Sequence, residues 1–365
     1  MSETKESAFL ETETPLPMVS IVLVAHKAAT HVGPCLDSLR AQDYPVERRE
    51  FLLVHSDAGD GTREAFESWR DGPGCDERVT ILPNPKRILS AGWNIALAAA
   101  KGDVIVRLDA HALAEADFLK HNVRALMERD ESIVGGPRRS INPTDWSGRL
   151  VGMAERSLFG AGQAAFRRKT SPGYVDTLAH AAYHRRVFET VGGYDERLVR
   201  NQDLECHHRM RQVGFRFFFD PSIVSVHLAR PTFKGMLRQK FANGYWTGLS
   251  LAVAPQCSSL RHFIPGLFVL GLLMAGALAA ARIWWPLTLI AGSYCLCAIV
   301  AAIIEAVRAE KMGEAALAPL LPIVFLAMHV ANGIGLICGV AAIPVKTRQW
   351  RGYEIPRPIV PKERH

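Results

Sequence analysis

Residues 104–112 read VIVRLDAHA: β-branched and apolar residues run up to an abrupt polar stop at Asp109 and His111. Such a run is the mark of a buried strand. Side chains two apart on a strand share a face, so Asp109 and His111 are expected to point the same way if strand geometry continues through Ala110. A carboxylate and an imidazole on one face are a hard oxygen donor and a borderline nitrogen donor, a pair able to serve one divalent cation. Taken alone, the two residues also suit a polar strand end that closes into a turn.

The stretches upstream fix the setting. Strand-like runs at 18–27, 50–57, 78–84 and 103–111 alternate with helical patterns at 31–45, 63–70 and 90–102. That alternation calls for an α/β fold with a mainly parallel sheet and helices on both faces. In such sheets ligands gather beyond the carboxyl ends of the strands. His26, Asp57 and Asp109 all fall at strand ends.

Charge is concentrated before residue 262, and three uncharged runs follow, starting at Phe263, Ile283 and Ala315. A helix rises about 1.5 Å per residue and needs roughly 20 apolar residues to cross the hydrocarbon core, so each run is long enough to span. The third is interrupted by Pro319, Pro322 and Gly333 and is expected to be the re-entrant or interfacial one. The N-terminus is polar and acidic, without the basic start and apolar core of a secretory signal, so the region before residue 262 is expected on the cytoplasmic side. Seven cysteines without a C-x-x-C pair suit a reducing compartment. A net charge of +7 suits an anionic membrane surface or phosphorylated ligands. There is no basic helix or interleaved aromatic platform of the kind nucleic-acid binding needs, so no nucleic-acid partner is expected.

Four stretches in register carry a resemblance. They are VSIVLVAHKAATHVGPCLDSLRAQDYP from Val19, DAGDGT from Asp57, RILSAGWNIALAAAKGDVIVRLDAHA from Arg87, and VFETVGGYDERLVRNQDLECHHRMRQVGFRFFFDP from Val187. Together they make residues 18–246 similar to the family 2 glycosyltransferases of GT-A fold. The Asp-Ala-His variant with three apolar C-terminal runs most resembles the glucosyltransferases of succinoglycan-type exopolysaccharide assembly.

The resemblance implies transfer of a hexose, glucose in the nearest pattern, from a nucleotide-sugar such as a UDP-sugar, with inversion at the anomeric carbon. It implies Mn²⁺ or Mg²⁺ held by Asp109 and His111, with His227 as a later histidine near the metal; the imidazoles favour Mn²⁺. His26, Asp57, Arg87 and Asp109 are the expected nucleotide-sugar contacts. His55 and Ser56 stand where the family usually has aspartates. Asp203 matches the family's base, and Gln202 replaces the glutamate before it. Gly193, Gln202, Gln239 and Trp246 are expected on the acceptor side. A processive Gln-x-x-Arg-Trp motif is only partly kept: Gln239 is present, but Ala242 and Asn243 stand where Arg and Trp belong. Addition of one sugar to a polyprenyl-diphosphate-linked saccharide is therefore expected over polymer synthesis, in a bacterial-type inner membrane among membrane lipids.

The expected organisation is a tail (1–17), a nucleotide-sugar half (18–111), an acceptor half (112–232), an interfacial helix and linker (233–261), a membrane region (262–345) and a basic tail (346–365). Residues 232–251 put Leu237, Phe241, Tyr245 and Leu249 on one helical stripe and Lys234 and Arg238 on another. That pattern suits a helix lying at a membrane surface or one packed on its own domain.

Overall fold

The computed structural model describes residues 15–56, 59–72, 76–142, 144–160, 169–228, 232–309 and 312–354. It divides into two units, one within Met1–Ser140 and Ala165–Leu228, the other within Ile141–Ala164 and Ala229–Glu354. In chain order the first unit begins β1 (Val19–Ala25), α1 (Ala29–Arg40), β2 (Arg49–His55), α2 (Thr62–Arg70), β3 (Arg78–Pro83), α3 (Leu89–Ala99) and β4 (Val104–Asp109). It continues with β5 (Ala112–Ala114), α4 (Phe118–Arg129), β6 (Ile133–Gly135) and β7 (Arg138–Ile141). The chain then supplies α5 (Trp146–Arg156) to the second unit. It returns with β8 (Gly173–Val175), β9 (Ala181–His184), α6 (Arg185–Val191), α7 (Gln202–Gln212), β10 (Phe217–Phe219) and β11 (Ser225–Leu228). The second unit adds α8 (Phe233–Ser250), α9 (Ile264–Ala280), α10 (Trp285–Arg308) and α11 (Leu321–Gln349).

The main sheet has strand order β3-β2-β1-β4-β9-β6-β10-β8. The first four strands are parallel, as the alternation of strands and helices requires. Beyond β4 the sheet, though mainly parallel as expected, becomes mixed. β9 enters antiparallel between β4 and β6, β10 is parallel to β6, and β8 is antiparallel to β10. These strands have three or four residues each. So short a run carries too little alternation to betray its direction, and tertiary packing decides it. A small second sheet has the order β5-β11-β7 and sets His227 opposite Ala112.

One face of the main sheet builds the core. Val19, Ile21 and Leu23 of β1, Phe51 and Leu53 of β2, and Val104, Val106 and Leu108 of β4 pack there with Val32 and Leu36 of α1, Phe66 of α2, and Phe118 and Val123 of α4. The alternate residues of the same strands face the other way, toward α3, where Gly92 lies against Val24.

The second unit is helical. Thr232 caps α8 by accepting the Gly235 N–H at 3.0 Å. Gly244 and Gly248 of α8 meet Asn332, Leu336 and Gly339 of α11, while Gly335 and Gly339 meet the Phe241 and Tyr245 carbonyls. The two helices run side by side with a small-residue pair, four apart, on each. Lys240 of α8 pairs with Glu155 of α5 at 3.1 Å, and its carbonyl accepts from Asn332 Nδ2 at 3.2 Å. α10, at 24 residues, and the stretch Met312–Gln349, at 38, are long and apolar enough to cross a membrane; α9, at 17, is shorter.

Pro322 and Gly333 do not break the third apolar run. α11 is a continuous helix of 29 residues. Pro322 sits in its first turn, where no intrahelical N–H bond is lost, and Gly333 is used for close packing on Pro265 of α9.

Candidate active site

β4 turns Arg107 and Asp109 to the face opposite its core residues. Arg107 is 6 % exposed, an unusual depth for a guanidinium. It lies 4.9 Å from the centre of the Trp93 ring, with Nη2 3.9 Å from Asp109 Oδ1. Its Nε and Nη1 make no hydrogen bond. Burial works against its charge, but Tyr194, Asp109, Asp203 and Tyr183 surround it and hold its pKa above the ordinary arginine value.

Asp109 is half-buried at the strand end, with His180 Nε2 3.3 Å from its Oδ2. That ring nitrogen makes no well-directed hydrogen bond, so the contact is mainly electrostatic. The other ring nitrogen, Nδ1, lies 2.8 Å from Ser225 Oγ. Burial opposes ionisation of Asp109, yet His180, Arg107 and His111 outweigh it and hold the carboxyl well below the usual carboxylate range.

Strand geometry does not continue through Ala110. β4 ends at Asp109, and Ala110 and His111 form the turn into β5. The His111 carbonyl accepts the Leu228 N–H at 3.0 Å, so pairing with β11 takes over from the β4 register. The same pairing brings His227 to His111, with ring centroids 4.5 Å apart and planes at 71°. Burial lowers the pKa of both, that of His227 to about 3 with Arg138 and His111 contributing, so both are neutral imidazoles at pH 7. His227 Nδ1 is buried and has no hydrogen-bond partner. Among the described residues no three His, Cys, Asp or Glu converge into a formed metal cluster.

α7 brings the second carboxylate. Asp203, in its first turn, accepts the Leu204 N–H on Oδ1 at 2.9 Å. Its charge is felt electrostatically at Arg107, Tyr183, Tyr194, Cys206 and His207. Gln202 is buried, and its Oε1 has no partner. Glu205 pairs with Arg209 at 2.6 Å. Arg209 also donates to the carbonyls of Val191 and Gly193, so the Gly193 backbone is engaged in holding α7 to the preceding loop. From the other side Asn94 of α3 bonds Tyr194 twice, accepting its N–H at 2.7 Å and donating to its carbonyl at 2.9 Å.

Other expected residues lie further out. His26 is exposed just after β1, and Arg87 is exposed with a left-handed φ of 56°. Asp57 lies outside the described residues. Gln239 and Trp246 are on α8 of the helical unit, the first exposed and the second half-buried. Arg107, His180 and Trp93 were not singled out from the sequence. Arg107 had a signal, a charge inside an otherwise apolar strand; His180 and Trp93 had none.

A carboxylate at the end of β4 beside a buried arginine and a second carboxylate at the start of α7 frame the candidate site. The profile described as glycosyl transferase family 2 matches residues 20–192. Over those residues the chain matches that family, and it is a glycosyltransferase. This glycosyltransferase is 27 % identical over 268 residues to the succinoglycan biosynthesis protein ExoA of Rhizobium meliloti, covering 72 % of this chain and 78 % of that one. It is 24 % identical over 238 residues to a dolichyl N-acetyl-alpha-D-glucosaminyl phosphate 3-beta-D-2,3-diacetamido-2,3-dideoxy-beta-D-glucuronosyltransferase of Methanococcus voltae, covering 64 % and 74 %. Its fold is similar to that of the mannosyltransferase PcManGT from Pyrobaculum calidifontis, solved with GDP-Man and Mn²⁺, at a TM-score of 0.54 and 19 % identity, covering 94 % and 93 %. The glycosyltransferase thus has a GT-A-like α/β domain and uses a nucleotide-sugar donor.

Proposed function

We propose that this enzyme moves a hexose, glucose in the first instance, from a UDP-sugar to a polyprenyl-diphosphate-linked saccharide in exopolysaccharide assembly, with inversion and one sugar at a time. The observation that carries the reading is that Asp109 ends β4 beside the buried Arg107, while Asp203 stands in the first turn of α7. One carboxylate is thereby available to the donor diphosphate and the other to the acceptor hydroxyl.

Asp203 takes the acceptor proton. Its Oδ1 is turned to the Leu204 N–H, and Oδ2 is the atom we assign to the hydroxyl. Gln202, next to it, presents a buried carbonyl oxygen suited to a sugar hydroxyl. Exposed His26 and Arg87 are assigned to the nucleotide and its phosphates.

A divalent cation fits the donor set: Asp109 is an ionised oxygen ligand, and His111 and His227 are neutral, with His227 Nδ1 unpaired. Bound there, Mn²⁺ in preference to Mg²⁺ would neutralise charge on the departing diphosphate. Mn²⁺ accompanies the sugar nucleotide in the archaeal mannosyltransferase of similar fold. The long apolar helices suit an enzyme whose acceptor is held in a membrane, with its catalytic unit on the cytoplasmic face of a bacterial-type inner membrane.

The test is nucleoside-diphosphate release by detergent-purified protein given a panel of nucleotide-sugars, lipid extract and Mn²⁺ or Mg²⁺. Release that needs lipid and metal and is lost in Asp203→Asn is expected. Lipid-independent release, or an active Asp203→Asn, would refute the assignment.

A further inference from the structure

α11 is long enough to cross a membrane, but the contacts that hold it leave it no room to do so. α9 and α10 fold back on each other: the Phe268 ring stacks on Tyr294 at 4.6 Å, and a Cβ on Gly271 would lie 3.6 Å from Ile290. The start of α9 and the end of α10 therefore face one side of any membrane that the pair crosses. α11 is fastened to both. Its Leu321, Val324, Phe325 and Met328 share a core with Ala298, Ala301 and Ala302 of α10. Its Gly333 packs on the Pro265 carbonyl and Val269, and its Leu336 on Gly266, in the first turns of α9.

α5 sets the level of this contact. The chain enters it from β7 and returns to β8, and its 11 residues reach only about 16 Å, so it stays on the side of those strands. Leu150, Val151, Met153 and Ala154 of α5 belong to the same core as Leu321 and Phe325. Arg156 pairs with Glu305 of α10 at 3.3 Å and with Glu314, just before α11, at 2.7 Å. If α11 crossed from that level, Leu336 would lie about 22 Å deeper. Pro265 and Gly266 would go with it, and the polar segment QCSSLRH at 256–262 that leads into α9 would stand inside the hydrocarbon. Nor can the crossing begin at Leu336. Residues 337–349 reach about 20 Å, short of a core about 30 Å thick, and they end in Lys346 and Arg348.

We propose that only the α9–α10 hairpin crosses the membrane, while α11 lies in the plane of the leaflet that faces the catalytic unit and rests on its acyl boundary. α11 presents one exposed apolar line at helical spacing, Ile323, Leu326, Ile334 and Val345. α8, packed along α11, exposes Lys234 and Arg238, which suit the phosphate headgroups of anionic lipids. At the hairpin turn Trp284 and Trp285 are exposed, the aromatic belt of the opposite interface. The basic end of α11 thus returns to the side of the catalytic unit, as the positive-inside rule favours. This arrangement is independent of the donor and acceptor assigned above.

The experiment uses the full chain in sealed bacterial membrane vesicles, right-side-out and inverted, with a short epitope tag before Met1, after Ala281 in the hairpin turn, or after His365. Antibody is expected to reach the two terminal tags in one vesicle type and the turn tag in the other. Terminal tags on opposite sides would overturn the proposal, and so would a turn tag on the side of the N-terminal one. Depth is the second reading. Spin labels on Ile323→Cys, Ile334→Cys and Val345→Cys, one at a time in a chain whose native cysteines are serines, are expected within about 5 Å of one depth in phosphatidylethanolamine and phosphatidylglycerol vesicles. A label at 334 about 15 Å deeper than at 323, the rise of that stretch of helix, would overturn it. If the serine replacements prevent folding, the tags decide.

Discussion

His207, one turn beyond Asp203 on α7, has its Nε2 3.1 Å from the Tyr183 hydroxyl of β9 and its Nδ1 2.8 Å from Thr177 Oγ1. The ring is fully buried and lies 4.5 Å from the Phe217 ring of β10. One imidazole thus bolts the helix that carries Asp203 to two strands. Replacement by alanine would leave a cavity and two hydroxyls without a partner, and a loss of about 2–4 kcal/mol is expected. Thermal unfolding of the purified variant, monitored in detergent, measures it.

The same residue makes stability depend on pH. Burial, chiefly, lowers the pKa of His207 from 6.5 to about 3. The unfolded chain therefore takes up a proton at this site before the folded one does. His207 contributes stability that is fully present above pH 6.5 and is lost as the pH falls toward 3. Unfolding midpoints collected between pH 7 and 4 should fall on acidification, and less so in a folded His207→Gln variant; equal slopes would remove His207 from the account.

Asp203→Asn keeps the shape of the side chain and removes the base. A loss in kcat of about 10²–10⁴-fold is expected with donor affinity nearly unchanged. Steady-state release of nucleoside diphosphate and direct nucleotide binding read the two quantities separately.

Binding of Mn²⁺, followed by electron paramagnetic resonance, should be abolished in Asp109→Ala. His227→Ala should weaken it by at least about tenfold, since loss of even an outer partner of a metal ligand has effects of that size. Unchanged binding in both variants would move the metal elsewhere.

In the helical unit, a Cβ on Gly339 would run into the Tyr245 carbonyl, and one on Gly244 into the Asn332 carbonyl. Gly339→Leu is expected to lower stability by at least about 1–3 kcal/mol through overpacking. Gly276 of α9 has nothing within 4 Å of such a Cβ, so Gly276→Ala is expected to be neutral or slightly stabilising. Unfolding of the two variants side by side checks the contrast.

Local pattern determined a good deal. Alternation along residues 18–111 determined the four parallel strands and the helices between them, because each is long enough to display its own period. The position of Asp109 at a strand end followed from the polar stop after VIVRL, and uncharged length alone marked the apolar helices. Only the tertiary structure decided the rest. The directions of β8, β9 and β10, the meeting of His111 with His227 across β5 and β11, and the continuity of α11 through its prolines depend on partners distant in the chain. So does the burial of Arg107 beneath the Trp93 ring. A sequence displays the period of an element, which is local; it does not display which charges folding will shut together, because that is fixed by packing between elements.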